Sequence, residues 1–272
     1  MKTLIRRIAK FRNTVSLQTF PRDLSLLYTW TGKTNMFFGM NHDFVRTCII
    51  LKLLETLAVD AFVETGTHLG RTCFLIASQT DLAIFSSEVN KQYMRVARWF
   101  LKCFGSRVHL SKMDSVQFLN GFLAQQRFRR PLFYLDAHWY TKLPLVEELR
   151  TILESVESFV VVIDDFRVPG DMNFGFDRYG KTVVEWKLIE QVLVDSGRRM
   201  ATYLPAYPSS LEVGDRRGWI LITSIDNERL ISESVPTDLL EVHAIINGSA
   251  SLVPLCSKAI VGLIGPQTAN TT

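Results

Sequence analysis

The chain has no cysteine pair. Cys48, Cys73, Cys103 and Cys256 are scattered along it. None belongs to a C-x-x-C unit, so a zinc cage or a redox dithiol has no ligands. Isolated thiols in a chain of this size read as buried residues of a reducing compartment, and a cytoplasmic location is expected. Long apolar runs are also missing. The most apolar late stretch, 250–265, is broken by Pro254 and Lys258 and is too short to span a bilayer. The opening MKTLIRRIAKFRNTVSLQTF carries charge without a continuous apolar segment, so it does not read as a secretory signal. There is no internal repeat and no low-complexity tract. Nor is there a general excess of charge: 31 Lys+Arg stand against 27 Asp+Glu, a net +4. That surplus is local. Lys2, Arg6, Arg7, Lys10 and Arg12 lie within residues 1–12 without an acid, which leaves the rest of the chain at −1. A body of that charge is not a polyanion binder, and no nucleic-acid partner is expected.

What is present is ordinary globular material, 47% hydrophobic and 21% charged over 272 residues, enough for a substantial core. Near the start, Leu4, Ile5, Ile8 and Phe11 recur at helical spacing with the bases mostly between them. This predicts an amphipathic helix that packs on the body or touches a membrane surface. From about residue 60, short apolar runs alternate with longer helical periods. Strands are expected at 61–63, 82–85, 107–110, 131–135 and 159–163. Helices are expected at 72–78, 91–104, 118–123 and 145–153. After a loop at 167–181, a helix over 183–194 leads to two strands, 200–204 and 219–223. The short connection between these two suits antiparallel pairing. The expected fold class is α/β: a doubly wound, Rossmann-like, seven-stranded, mostly parallel sheet with an antiparallel last strand. The expected divisions are an N-terminal helical extension at 1–45, a sheet domain at 46–225 and a C-terminal tail at 226–272.

In open sheets of this kind, ligands bind beyond the carboxyl ends of the strands. Acids collect there. Strand one ends at Glu64, strand two at Glu88, strand three leads to Asp114, strand four ends at Asp136, and strand five at Asp164-Asp165. Packed carboxylates repel, so such a rim calls for a cation, a hydroxyl-rich ligand, or both. The first turn is Glu64-Thr65-Gly66-Thr67-His68-Leu69-Gly70. Gly66 permits a tight turn and a close ligand approach, and Gly70 lets the next helix pack on the strand. Glu88 follows Gly66 by 22 residues, near the ~20-residue offset at which an acid meets ribose hydroxyls. Where a dinucleotide site has its first glycine, this chain has Glu64. A carboxylate there disfavours pyrophosphate and favours a cationic ligand. S-adenosylmethionine (SAM) is one, with a sulfonium, an ammonium, a ribose and an adenine.

Over about 60–225 the sequence resembles the class I SAM-dependent methyltransferases. VETGTHLGRT looks like their first nucleotide-binding motif, SSEVN like the ribose acid and MDS like the adenine-side acid. The resemblance implies that Glu64, Gly66, Thr67 and Gly70 line the methionine and ribose part. It implies further that Glu88 holds the ribose and that Asp114 with Ser115 lies near the adenine. Phe133-Tyr134-Leu135-Asp136-Ala137-His138, with Ile163-Asp164-Asp165-Phe166, resembles the cation-dependent branch: macrocin-type and catechol-type O-methyltransferases and cephalosporin-hydroxylase-like relatives. In that branch, acids after strands four and five bind Mg²⁺ beside the methyl donor. The resemblance therefore implies Asp136, Asp164 and Asp165 as magnesium ligands. Ala137-His138 stands where sugar-modifying members carry further acids. Acids that orient the substrate by hydrogen bonds alone remain an open alternative.

Methyl transfer from a sulfonium needs an aligned nucleophile and a proton acceptor. His138, two residues beyond Asp136, is the candidate general base or metal ligand, with Asp136 beside it in the catalytic set; a histidine bonded to a loop carbonyl is the plainer reading. The loop 167–180 reads as a lid or an anchored surface loop, with Tyr203 and Tyr207 as another wall. Arg127, Arg129 and Arg130 read as a solvated basic patch. The expected function is SAM-dependent O-methyl transfer to a hydroxyl of a small molecule or glycan unit. The alternatives are a hydroxylase-like or other transferase on the same fold, and a non-catalytic nucleotide-binding module.

Overall fold

The computed structural model describes residues 39–125, 128–137 and 143–247, together with the backbone of 252–254. The expected N-terminal amphipathic helix and His138 lie outside the described residues. The element order is α1 (Phe44–Thr56), β1 (Ala61–Thr65), α2 (Arg71–Gln79), β2 (Ala83–Ser87), α3 (Lys91–Phe100), β3 (Val108–Ser111), α4 (Ser115–Gln125), β4 (Pro131–Leu135), α5 (Leu145–Ser155) and β5 (Val160–Ile163). A small hairpin follows, β6 (Arg178–Tyr179) and β7 (Thr182–Val183). The chain continues with α6 (Trp186–Asp195), β8 (Arg199–Pro205), β9 (Ile220–Ser224), α7 (Glu228–Ser234), β10 (Leu240–Asn247) and β11 (Leu252–Pro254).

The sheet order is β11-β10-β8-β9-β5-β4-β1-β2-β3. Strands β1 to β5 pair in parallel, while β9 is antiparallel to both β5 and β8. The doubly wound, mostly parallel expectation stands, and so does the antiparallel pairing of the strands on either side of 206–219. The count of seven is corrected to nine. The segment expected as a tail at 226–272 carries α7 and β10, and β10 pairs antiparallel with β8 from Leu240↔Pro205 to Asn247↔Arg199. In LEVHAIIN the polar residues Glu241 and His243 interrupt the apolar ones. That half-exposed pattern is what an outer strand needs, and it is weaker as a signal than a buried run. The boundary expected at 45 falls inside α1.

Side chains alternate across the sheet. Phe62, Leu132, Tyr134, Val160 and Val162 face a core built with α1 and α2. Val63, Phe133, Leu135, Val161 and Ile163 face a second core built with α4, α5 and α6. Arginines close the helix ends. The Arg107 guanidinium donates to the carbonyls of Ala77 (2.7 Å) and Thr80 (2.6 Å) after α2, and Arg198 donates to those of Leu153 (3.0 Å) and Val156 (2.9 Å) after α5. Arg130 likewise donates to the Leu57 carbonyl and to the Ser158 hydroxyl, so it is a strut at the amino end of β4 and not a member of a solvated patch. Among the described residues no helix is long and apolar enough to cross a membrane.

Glu148, fully buried in the first turn of α5, titrates far from its ordinary value. Burial pushes its carboxyl up to about 7; the Ser115 and Thr65 hydroxyls oppose the shift and Asp114 adds to it. The unfolded chain releases this proton near 4.5 and the folded chain keeps it to about 7. Between those values the folded state binds more protons, so stability falls as pH rises through that window. Asp43, Glu64 and Asp165 are raised to about 7 as well, in each case chiefly by burial, and act in the same direction. Melts at pH 5.5 are expected to exceed those at pH 8. Glu148→Gln should recover on the order of 1–3 kcal/mol at pH 8 and little at pH 5. A variant with the same pH slope as the wild type would show that Glu148 does not supply it.

Candidate active site

The β1 turn is built by the sequence Glu64-Thr65-Gly66. Gly66 has φ +85°, a left-handed conformation that glycine adopts without penalty. A Cβ on it would lie 2.3 Å from the Asp136 carbonyl oxygen. The turn is tied to its neighbours by the backbone N–H groups of Gly66 and Thr67, which donate to the Ser87 carbonyl (3.0 and 2.9 Å), and by that of Asp136, which donates to the Thr65 carbonyl (3.0 Å). The Thr67 and Ser86 hydroxyls share a hydrogen bond of 2.6 Å. Gly70, at φ +82°, precedes α2, and a Cβ on it would lie 2.9 Å from Leu101 and 3.3 Å from Ala97.

Three expected cofactor acids lie along this edge. Glu64 is buried and accepts from the Cys73 thiol (2.9 Å) and the Ser86 hydroxyl (2.8 Å). Burial raises its carboxyl to about 7 against those hydrogen bonds. Glu88 accepts from the backbone N–H of His68 (2.8 Å) and of Asn90 (2.6 Å), which couples the β1 turn to the end of β2. Asp114 accepts from the Val116 N–H (3.1 Å), and Ser115 is buried at the start of α4. The carboxyl ends of β1, β2 and β3 thus present Glu64, Glu88 and Asp114 around a glycine turn. The donor set suits a ligand with positive charge and hydroxyl groups, as SAM has.

The ends of β4 and β5 carry the other acids. Asp136 is partly buried, and burial with the fields of Asp164, Asp165 and Glu64 pushes its carboxyl well up, opposed by Arg46. Asp164 is fully buried. Burial alone would raise it, but the Arg46 guanidinium and the Tyr134 hydroxyl hold it below the usual range. Its Oδ1 accepts from Arg46 Nη1 and from the Asp165 N–H (2.7 Å). Its Oδ2 accepts from the Tyr134 hydroxyl (2.6 Å) and from Asn41 Nδ2 (3.1 Å). Asp165, in the left-handed region at φ +54°, accepts from Arg217 Nε, and Arg217 Nη2 donates to Asp177. Asp43 joins the two arginines. Its carboxylate accepts from Arg46 Nη2 (3.1 Å) and from the backbone N–H groups of Arg216 and Arg217 (2.8 Å each).

Sequence reasoning missed Asn41, Asp43, Arg46, Arg217 and Glu212. Glu212 accepts from the Val45 (2.8 Å) and Arg46 (2.9 Å) N–H groups and from the Tyr207 hydroxyl (2.6 Å), so it caps α1 from across the fold. The available signal was Arg46 itself, a lone charge in the apolar run Val45–Leu51 with Asp43 three residues before it. Tyr203 and Tyr207, expected as a wall, are buried in the core. Phe174 of the 167–180 loop is buried against Tyr207 at 5.8 Å, which anchors the loop.

The fit to Mg²⁺ fails at the implied ligands. Hard divalent cations need free carboxylate lone pairs. Both oxygens of Asp164 are taken by N–H and O–H donors, and Asp165 is held by a guanidinium. No group of three or more metal-competent side chains occurs among the described residues.

No family model matches the chain, and no curated protein matches it. Solved structures do. A protein from Staphylococcus aureus, provisionally named a caffeoyl-CoA O-methyltransferase, is 14% identical with a TM-score of 0.53, over 79% of this chain and 99% of that one. An O-methyltransferase from Bacillus cereus in complex with SAH is 16% identical with a TM-score of 0.52, over 77% and 93%. The O-methyltransferase TomG from Streptomyces achromogenes, involved in tomaymycin synthesis and in complex with SAM, is 15% identical with a TM-score of 0.50, over 79% and 96%. At these identities the likeness is one of fold: the chain has the Rossmann-like fold of these O-methyltransferases.

Proposed function

We propose that this chain is a SAM-dependent O-methyltransferase acting in the cytoplasm on a hydroxyl of a small molecule or glycan unit. The observation that carries the reading is the set Glu64, Glu88 and Asp114 around the Gly66 turn, at the end of the sheet where such folds bind ligands. In this reading Glu64, Gly66, Thr67 and Gly70 hold the methionine and ribose part, Glu88 the ribose, and Asp114 with Ser115 the adenine side. SAM, when bound, supplies an electrophilic methyl group on a sulfonium. The protein's part is alignment and proton removal. Asp136, its carboxyl pushed up by burial and by its acidic neighbours, orients the acceptor hydroxyl. His138, just beyond it in sequence, takes the hydroxyl proton. The five bases within residues 1–12 draw the enzyme toward anionic lipid.

Calorimetry with SAM tests the reading. One molecule per chain is expected to bind with measurable heat and a thermal upshift. Glu88→Ala should weaken binding at least tenfold, about 1.4 kcal/mol, since it removes a ribose acceptor and loosens the His68 turn. The absence of both heat and thermal shift with the wild-type chain would overturn the assignment.

A further inference from the structure

The acids beyond β4 and β5 are not left for a metal to neutralise. We propose that Arg46 and Arg217 occupy the electrostatic place of a divalent cation at this rim, so that the chain binds no divalent metal between Asp136, Asp164 and Asp165. The inference deepens the SAM-dependent reading of the same site, and it is tested separately from it.

A carboxylate offers about four lone-pair directions. Asp164 uses them on Arg46, the Asp165 N–H, Tyr134 and Asn41. A cation could enter only by displacing these donors. Arg46 cannot swing out to make room. It is fully buried in α1, and its Nη2 donates to the Met40 carbonyl and to Asp43. Asp165 and Asp177 share Arg217, whose backbone N–H is itself held by Asp43. One carboxylate, Asp43, therefore holds the Arg46 guanidinium and the backbone of Arg217. Arg46 also lowers the Asp136 carboxyl, so its field reaches the third implied ligand. A dication brought to these three acids would meet two fixed positive charges at short range, and like charges in a buried setting repel strongly. A guanidinium is planar, always charged and directional. It can neutralise a carboxylate without drawing a hydroxyl or water into its coordination sphere. The rim thus keeps the acids of a cation site and answers their charge from within the chain.

The test uses the full-length protein and Mn²⁺, read by the loss of the free-ion electron paramagnetic signal. Wild-type protein is expected to leave Mn²⁺ free at about millimolar concentration, where weak oxygen sites begin to fill. Arg217→Gln removes the more exposed of the two charges, leaves the Asp164 donors in place, and should bind one Mn²⁺ on the oxygens of Asp165 and Asp177 that the guanidinium held. That binding should be lost again in Arg217→Gln/Asp165→Asn. Arg217→Lys, which keeps the charge, should remain without Mn²⁺. Stoichiometric binding by the wild type that disappears in Asp165→Asn would overturn the proposal. So would a folded Arg217→Gln that binds no Mn²⁺, because the arginine would then not be what excludes the cation. SAM calorimetry on the same samples keeps the two questions apart: its failure would remove the methyl-donor reading and leave the Mn²⁺ result standing.

Discussion

Arg46→Met is expected to cost about 3–5 kcal/mol of stability, the range for removing one partner of a buried ion pair. In a chain of this size that corresponds to a melting temperature lower by roughly 6–20 °C. Methionine fills much of the same space, so the loss is one of charge and not of volume. Asp164 would remain wholly buried with its hydroxyl and amide donors but no cation, and Asp43 would lose its side-chain partner. Asp164, now held below the usual carboxylate range, should rise, since burial would no longer be opposed by the guanidinium. The variant should then lose further stability as pH increases from 5 to 8, where an ionised Asp164 is most costly. Arg46→Lys should rescue little. One ammonium cannot reach Asp164, Asp43 and the Met40 carbonyl in the forked geometry that Arg46 uses. The double variant Arg46→Met/Asp164→Asn should recover 1 kcal/mol or more, to order of magnitude, relative to the sum of the single changes. Urea melts at pH 6 and 8 measure all of this. A wild-type-like Arg46→Met would show that the buried rim does not depend on this charge.

Gly66→Ala is the second large effect, and it acts on the ligand site. The added Cβ would meet three backbone atoms at once: the Asp136 carbonyl oxygen at 2.3 Å, its carbon at 2.7 Å and Ala137 Cα at 3.1 Å. None of these is the end of a flexible side chain. Relief requires either β1 or the chain after β4 to move, against the Asp136 N–H to Thr65 carbonyl bond of 3.0 Å. The left-handed φ adds roughly 1–2 kcal/mol of strain. SAM affinity is expected to fall at least 100-fold, about 2.7 kcal/mol. Gly105→Ala is the matched control. Gly105 also has positive φ, +57°, but a Cβ there meets nothing within 4 Å. It should cost about 1–3 kcal/mol of stability and leave SAM affinity unchanged. Equal effects of the two substitutions on SAM binding would mean that the β1 turn is not where the ligand sits.

The acids at the strand ends were legible in the sequence, and their counter-charges were not. Pro131–Leu135 and Phe159–Ile163 read as strands because strands buried on both faces are continuous apolar runs, and the acids at their ends followed from that. Glu64, Gly66 and Glu88 were found through a local turn and a fixed offset. Arg46 pairs with Asp164 across 118 residues, and Arg217 with Asp165 across 52. No periodicity carries such pairings. Residues 39–45 were expected as the end of a separate extension, with Arg46 opening the sheet domain. Their worth lies in polar contacts, Asn41 and Asp43 above all, which a hydrophobic pattern does not register. The strand β10 escaped for a related reason, since its outer position lets charged residues alternate with apolar ones.

The bond between Glu212 and the first turn of α1 spans 166–167 residues, and the Asp43 contacts with Arg216 and Arg217 span 173–174. During synthesis, therefore, α1 leaves the ribosome with its amino end uncapped and Arg46 without its later partners. β1 to β5 can pair as they emerge and bring Asp164 to Arg46, but the Arg217 half of the rim closes only when the segment after β8 has returned to the beginning of the domain. Contacts of such separation carry a large loop-closure entropy and belong to the late, slow part of folding. Chains interrupted before residue 217 would hold much of the parallel sheet and an unfinished site, with Asp43 and Asp165 short of their donors. The domain is in this sense closed by contacts between its first helix and the segment after β8, and its acid–arginine rim doubles as a check that the later segment has been made.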